Sequence, residues 1–114
     1  MLGRYRRRFE IIGDILSVAE KNSVKKTRIM YVANLSHGLL EKYLREAVGL
    51  GFLAVNDDGY QITEKGKFFL EKYRDFSVKQ SKILKQFESL RLERELLERM
   101  LENPGNERRK RDKA

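Results

Sequence analysis

The chain has 114 residues, a net charge of +8 and 37% charged side chains. This length is close to one typical domain, so we expect a single small domain with an appendage. The charged fraction excludes a membrane protein, and the content of Leu, Ile, Phe and Tyr excludes an intrinsically disordered chain. Because the sequence has no cysteine, it excludes disulfides, thiolate catalysis and Cys-based zinc sites.

The positive charge indicates the class of partner. A basic protein accumulates near polyanions, so nucleic acid or an anionic membrane surface is the expected large partner, with an acidic protein as the alternative. No apolar run approaches the ~20 residues that span a bilayer. The N-terminal segment RYRRRFE is not an apolar signal core, and we therefore expect a cytoplasmic location.

A first helix is predicted from about Arg4 to Lys21, where Asn22-Ser23 breaks it. Its apolar residues recur at helical spacing and predict one buried stripe. The stripe comprises Phe9, Ile12, Ile15, Leu16 and Ala19.

Two further helices are predicted to form a helix-turn-helix. The second begins near residues 23–26, ends around residues 34–35 and directs Ile29, Met30, Val32 and Ala33 inward. Ser36 is placed to cap the third helix, since its hydroxyl can accept a backbone N–H two or three residues on. The apolar face of the third helix comprises Leu39, Leu40, Tyr43, Leu44, Ala47 and Val48. A tight turn between the two helices gives the motif.

A β-hairpin follows the third helix, which Gly49 and Gly51 end. The strands are predicted at residues 52–55 and 60–63, joined by residues 56–59, where Asn, Asp and Gly can supply positive φ angles. Thr63 is predicted to cap the next helix. The predicted fold is therefore mainly α with a small β-hairpin, a winged helix-turn-helix whose third helix can be presented to the DNA major groove.

A long C-terminal helix of about 39 residues is predicted from Glu64, roughly 58 Å at 1.5 Å per residue, since only Gly66 interrupts the chain before Pro104. Within it, spacings of four and three residues alternate, as in a coiled-coil seam. The seam comprises Phe69, Tyr73, Phe76, Gln80, Ile83, Phe87, Leu90, Arg94, Leu97 and Leu101. The predicted organisation is a winged domain over residues 1–68, a dimerisation helix over 69–102 and a basic, disordered tail over 103–114.

The polar seam residues Gln80 and Arg94 favour an antiparallel homodimer. In a parallel pair Arg94 would be buried against its own copy, which is unfavourable. In an antiparallel pair centred near residue 85, each seam pair has an apolar member, and Leu84 meets its own copy. The alternatives are that the helix folds back on its own winged domain or pairs with another protein.

The polar face of the third helix is the predicted DNA-reading surface, because the second helix of such a motif enters the major groove. It offers Ser36, His37, Gly38, Glu41, Lys42 and Arg45. The alternative is an ordinary solvated helix face.

Phosphate contacts are predicted where the second helix begins, at Lys25, Lys26, Thr27 and Arg28. At the N-terminus Arg4, Arg7 and Arg8 share a predicted helical face and can form a positive patch with Arg6 nearby, although solubility alone would explain them. The acidic wing tip at residues 56–59 is badly suited to a basic wing's contact with DNA.

Catalytic chemistry is not indicated. His37 is the only histidine, and alone it cannot build a metal site or a catalytic triad. The glycines fit turns and packing rather than a phosphate-binding loop. We expect no enzyme activity, no metal, no cofactor and no small-molecule ligand.

The segments KTRIMYVANLSHGLLEKYL, GLGFL and YQITEKGKFFLEKY, followed by the heptad helix, resemble those of archaeal winged-helix regulators. In particular, residues 4–101 are similar to the small basic ten-a group of archaeal chromatin-associated proteins. The resemblance implies an antiparallel coiled-coil dimer and double-stranded DNA binding with limited sequence preference, through Lys26, Arg28, Ser36, His37, Lys42 and Arg45.

We therefore predict a homodimeric double-stranded-DNA-binding protein that acts in the nucleoid or in transcriptional regulation. The alternative is a protein-interaction module that assembles a complex without touching DNA, which the acidic wing would allow.

Overall fold

The structure is a computed structural model that describes residues 5–102. It contains the helices α1 (Arg8–Val18), α2 (Lys26–Val32), α3 (His37–Gly49) and α4 (Glu64–Glu102), and the strands β1 (Leu53–Asn56) and β2 (Gly59–Ile62). The predicted winged helix-turn-helix with a long C-terminal helix is confirmed. Arg4 and the tail at 103–114 lie outside the described residues. Within residues 5–102 no helix is both long and apolar enough to cross a membrane.

Helix α1 is shorter than predicted at both ends. It begins at Arg8 because Arg7 has an extended backbone, and the Arg7 N–H donates to Glu10 Oε1 at 2.7 Å. It ends at Val18, where the Ala19 N–H still bonds to the last turn. The predicted stripe nevertheless faces the core, with Phe9 only partly buried.

The turn between α2 and α3 depends on Asn34, whose φ of 56° lies in the left-handed region that Asn tolerates. Ser36 caps α3 as predicted, since its hydroxyl accepts the Leu39 N–H at 3.3 Å. Two predicted core positions are wrong: Val32 is 50% exposed and Leu39 is 42% exposed. Both lie at the edge of their helix's apolar face, where periodicity alone does not decide burial.

The first strand of the hairpin begins and ends one residue later in the sequence than predicted. Its antiparallel register pairs Leu53 with Ile62 and Asn56 with Gly59. Asn56 Oδ1 accepts the Asp58 N–H at 2.9 Å, which closes the tip. Of the tip residues only Gly59 has a positive φ, at 128°, so the prediction that Asn and Asp supply such angles is wrong.

Val24, two residues before α2, adds a short edge to this hairpin. Val24 and Tyr60 exchange two backbone hydrogen bonds of 2.9 and 2.8 Å. A side chain at Gly59 would collide with the Val24 carbonyl, so glycine is required there by contact as well as by φ. The start of α2 is thereby fixed against the wing.

Helix α4 begins at Glu64 and spans 39 residues, as predicted. Thr63 caps it: the Gly66 N–H donates to Thr63 Oγ1 at 3.0 Å, and the Thr63 hydroxyl donates to the Gly51 carbonyl at 2.6 Å. The cap therefore ties the first turn of α4 to the segment between α3 and β1.

One hydrophobic core joins all these elements. Among the described residues no polar or charged residue is classed as buried. The core residues are Ile11, Ile12, Ile15, Leu16, Ala19, Ile29, Ala33, Leu35, Leu40, Leu44, Ala47, Leu53, Ile62 and Leu70. Helix α3 is anchored through Leu40, Leu44 and Ala47, which leaves its opposite face outward.

The chain divides into two compact units, with the division after Phe76. We call residues 5–76 the head and α4 residues 77–102 the distal helix. The predicted domain boundary after residue 68 stays a prediction.

Candidate nucleic-acid interface

The outward face of α3 carries the side chains predicted to read DNA. Ser36, His37, Lys42 and Arg45 are all exposed, opposite the buried Leu44. Lys42 Nζ lies 5.1 Å from the centre of the Tyr43 ring, a cation–π distance that keeps the ammonium beside α3. Neither Lys42 nor Arg45 has a salt-bridge partner among the described residues, so both cations face outward without a carboxylate to neutralise them.

Glu41 interrupts this positive face. Its Oε2 accepts a hydrogen bond from Lys26 Nζ at 2.9 Å and lies 3.6 Å from His37 Nε2. The hydrogen bond from Lys26 lowers the pKa of Glu41, and the charges of Lys26, His37 and Arg45 lower it further. The same bond raises the pKa of Lys26. Glu41 therefore stays ionised and pairs α3 with the start of α2.

The start of α2 brings four predicted phosphate-contacting residues to the surface: Lys25, Lys26, Thr27 and Arg28. Lys25 is the residue before α2, and its Nζ donates to the Asp57 backbone carbonyl at 3.3 Å. A lysine ammonium thus lies at the acidic wing tip and offsets part of its negative charge. Arg28 has no salt bridge within residues 5–102.

The N-terminal arginines are separated by their contacts. Arg8 pairs with Glu46 of α3 at 2.8 Å, and this bond raises the pKa of Arg8. Arg7 is exposed but precedes the helix, so the prediction that Arg7 and Arg8 share a helical face is wrong. DNA contact by Arg7 stays a prediction.

Arg6 has a structural role that the sequence did not indicate. Its guanidinium bonds Asp14 Oδ2 at 2.8 Å and the carbonyls of Ala33 and Asn34, both at 2.9 Å. Asp14 also accepts from the Tyr73 hydroxyl at 3.2 Å. Arg6 therefore fixes the turn between α2 and α3, and contact of the N-terminal arginines with DNA stays a prediction.

We expect Arg6→Ala to lower the free energy of unfolding by about 1–2 kcal/mol, because the Ala33 and Asn34 carbonyls and Asp14 lose their partner. Urea unfolding followed by circular dichroism measures this change. Arg7→Ala, which removes an equal charge from an exposed side chain, serves as the control. Equal stability of the two variants would contradict the structural role of Arg6.

Three residues of the predicted dimer seam lie in the head. Phe69 packs on Phe52 with ring centres 4.9 Å apart, while Tyr73 and Phe76 lie edge-on to Phe9 at 6.2 and 5.4 Å. Through these ring contacts the part of α4 that belongs to the head packs against Phe9 and Phe52. They leave the dimerisation role of the three residues a prediction.

The remaining seam residues lie on the distal helix with their side chains exposed: Gln80, Ile83, Leu84, Phe87, Leu90, Arg94, Leu97 and Leu101. Phe87, Leu90, Arg91 and Arg94 border a shallow groove of about 160 Å³. Arg91 pairs with Glu88 and Glu95 on its own helix. The distal helix thus has paired charges beside an uncovered apolar strip.

The described residues contain no group of three or more His, Cys, Asp or Glu that could hold a metal ion.

Known proteins resemble this chain. The model of the winged helix-turn-helix family matches residues 5–81. The uncharacterized protein MJ0287 of Methanocaldococcus jannaschii is 37% identical over 81 residues, which cover 69% of this chain and 84% of that protein. The uncharacterized protein MJ0290 of the same organism is 35% identical over 65 residues, covering 57% of this chain and 31% of its own length.

A solved structure has a similar fold. It is the crystal structure of Sso10a-2, described as a DNA-binding protein from Sulfolobus solfataricus. The match has a TM-score of 0.67 and 28% sequence identity, and covers 75% of this chain and 93% of that one. The resemblance predicted from the sequence is confirmed by this match.

Proposed function

This chain belongs to the winged helix-turn-helix family, and on that premise we propose that it binds double-stranded DNA as a homodimer and acts as a nucleoid-associated protein or transcriptional regulator. The observation that carries the proposal is the outward face of α3, where Lys42 and Arg45 are exposed and unpaired within the described chain. The similarity to a protein described as DNA-binding supports it. The family and fold point to a non-enzymatic role.

In the proposed complex α3 enters the major groove and the start of α2 lies along the sugar-phosphate backbone. Ser36 and His37 lie at the N-terminus of α3, where backbone N–H groups and the helix dipole favour a phosphate. Lys25, Thr27 and Arg28 supply further phosphate contacts, and Lys26 adds one where it leaves Glu41. Most of the binding free energy then comes from the backbone, so affinity depends steeply on salt.

The proposed dimer is formed by the distal helices. Their exposed apolar strip exceeds what a solvated single helix needs, and the strip follows a heptad spacing. Antiparallel pairing about residue 85 places an apolar residue in every seam pair. The two heads of the dimer then act together on DNA.

Anisotropy titration of a labelled random-sequence duplex at several salt concentrations tests the proposal. We expect log K to fall with log salt by about 0.9 for each phosphate contacted. Absence of binding at low salt would contradict DNA binding and support the protein-interaction module.

We expect the double variant K42A/R45A to bind random duplex DNA at least about 30-fold more weakly, because each of the two lost contacts to a base edge or phosphate costs roughly 1–3 kcal/mol. Its salt slope should become shallower by about 0.9 per lost phosphate contact. The same titration measures both quantities. K82A/K85A removes two charges from the distal helix and serves as control, and equal weakening of both variants would mean that α3 does not read DNA.

A further inference from the structure

We propose that Glu41 is the specificity-determining residue of the DNA-reading face. Its carboxylate holds Lys26 away from phosphate, so α3 approaches the groove closely only where the N4 amino group of a cytosine takes the place of Lys26. This inference rests on the proposed DNA binding and extends it, because it states which residue limits non-specific affinity and which base is preferred.

The geometry places one carboxylate oxygen beside the Lys26 ammonium and the His37 imidazole. Glu41 Oε2 is 2.9 Å from Lys26 Nζ and 3.6 Å from His37 Nε2. The side chains of Glu41 and Lys26 are 34% and 43% exposed, so incoming DNA can reach both. Arg45 follows one turn later on α3 and contributes to lowering the pKa of Glu41.

This arrangement affects backbone and base contacts in opposite ways. A carboxylate on this face repels phosphate. It also pairs with the Lys26 ammonium, which would otherwise contact the DNA backbone. A cytosine in the major groove presents its N4 amino group, a donor that Glu accepts, whereas the N6 amino group of adenine lies beside the N7 acceptor, which repels a carboxylate. Binding to a cytosine edge therefore replaces the hydrogen bond that Glu41 gives up when Lys26 turns to phosphate.

A surface built only for phosphate would gain affinity by losing Glu41. Glu41 is on α3, and its carboxylate accepts a hydrogen bond from Lys26 at the start of α2, so a second helix fixes the position of the side chain. The side chain is therefore already directed at the groove-facing surface before DNA binds. Such pre-organisation lowers the ordering cost of a base contact.

The test is Glu41→Gln in the full chain, titrated with a duplex of alternating G·C pairs and a duplex of A·T pairs of equal length. We expect the variant to bind the A·T duplex about fivefold to tenfold more tightly near 0.1 M salt, with a salt slope steeper by about 0.9, because Lys26 gains one phosphate. The preference of the wild-type protein for the G·C duplex should shrink.

Two controls isolate the cause. Glu20→Gln removes a carboxylate that pairs with Arg74 at 2.8 Å, outside all the predicted DNA contacts, and should leave the affinity ratio and slope unchanged. In the double variant K26A/E41Q the slope of log K against log salt should equal that of Lys26→Ala, because the lysine that Glu41→Gln would release has been removed.

The outcomes separate this inference from the proposed function. Wild-type binding with an unchanged duplex preference in Glu41→Gln, or equal weakening on both duplexes, would overturn the role of Glu41 while DNA binding stands. A wild-type protein that binds neither duplex at low salt would overturn both.

Discussion

Phe87→Glu is expected to convert the proposed homodimer into monomers. Phe87 is 66% exposed in the single chain, and in the proposed antiparallel dimer it would lie against Ile83 of the second copy on both sides of the two-fold axis. Burying one such aromatic side chain contributes about 1.5–3 kcal/mol, and the dimer buries two. A carboxylate in the same position would be desolvated without a partner, which adds a further cost. Sedimentation equilibrium of the full chain measures the change.

The loss of the dimer should also be visible in DNA binding. Two linked heads gain roughly 10²-fold or more in avidity when both reach DNA, and a monomer loses this gain. Affinity for a long duplex should therefore fall steeply, while a duplex that accommodates only one head should show little change.

Ser89→Glu is the matched control for Phe87→Glu. It introduces the same charge two residues away on the exposed distal helix, outside the heptad seam. We expect it to remain dimeric. A dimeric Phe87→Glu would show that the seam is elsewhere, and a monomeric wild-type protein would overturn the dimer altogether.

The elements that sequence reasoning placed well are those whose ends depend on local chemistry. Ser36 and Thr63 each cap a helix with a side-chain oxygen, and both caps are visible as Ser or Thr directly before an apolar period. Helix α4 was predicted to its first residue for this reason. The hairpin followed from its Asn, Asp and Gly tip, although only Gly59 of the tip has the positive φ that was expected of Asn and Asp as well.

Helix α1 was placed less well because its start is decided by tertiary contacts. Arg6 bonds carbonyls that lie 27 and 28 residues away, which draws the segment before Arg8 out of the helix. The helical propensity of residues 4–8 cannot predict a contact with residues so far along the chain. The same limit applies to Val32, whose exposure depends on how α2 lies against its neighbours.

The candidate interface shows the same division. Periodicity predicted the outward positions of Lys42 and Arg45 on α3, because Leu40 and Leu44 define the buried side, although it wrongly placed Leu39 inward. Glu41 and His37 are four residues apart on one helix, so their proximity could be predicted from the sequence. The pairing of Glu41 with Lys26 and of Lys25 with the wing joins separate elements, so it became visible only in the fold.

Gly66→Ala is expected to lower the free energy of unfolding by about 2–3 kcal/mol, against the direction of helix propensity. In an open helix the change would add about 1 kcal/mol of stability. Gly66 is buried in the first turn of α4, however, and an added methyl group would overlap the Phe52 carbonyl oxygen and lie 2.8 Å from Ile62 Cγ1. Overpacking of this kind costs about 1–3 kcal/mol or more.

The Phe52 carbonyl cannot simply move aside, because it accepts the Thr63 N–H at 3.0 Å beside the α4 cap. Displacing it would weaken that bond as well, so the steric cost exceeds the gain in propensity. Gly49→Ala is the matched control: it also lies in a helix, its added methyl group meets nothing within 4 Å, and we expect a small gain in stability. Urea unfolding at one protein concentration measures both variants, since the proposed dimerisation would add to the apparent stability. If Gly66→Ala were as stable as Gly49→Ala, the close approach of α4 to the β1 entry would be wrong.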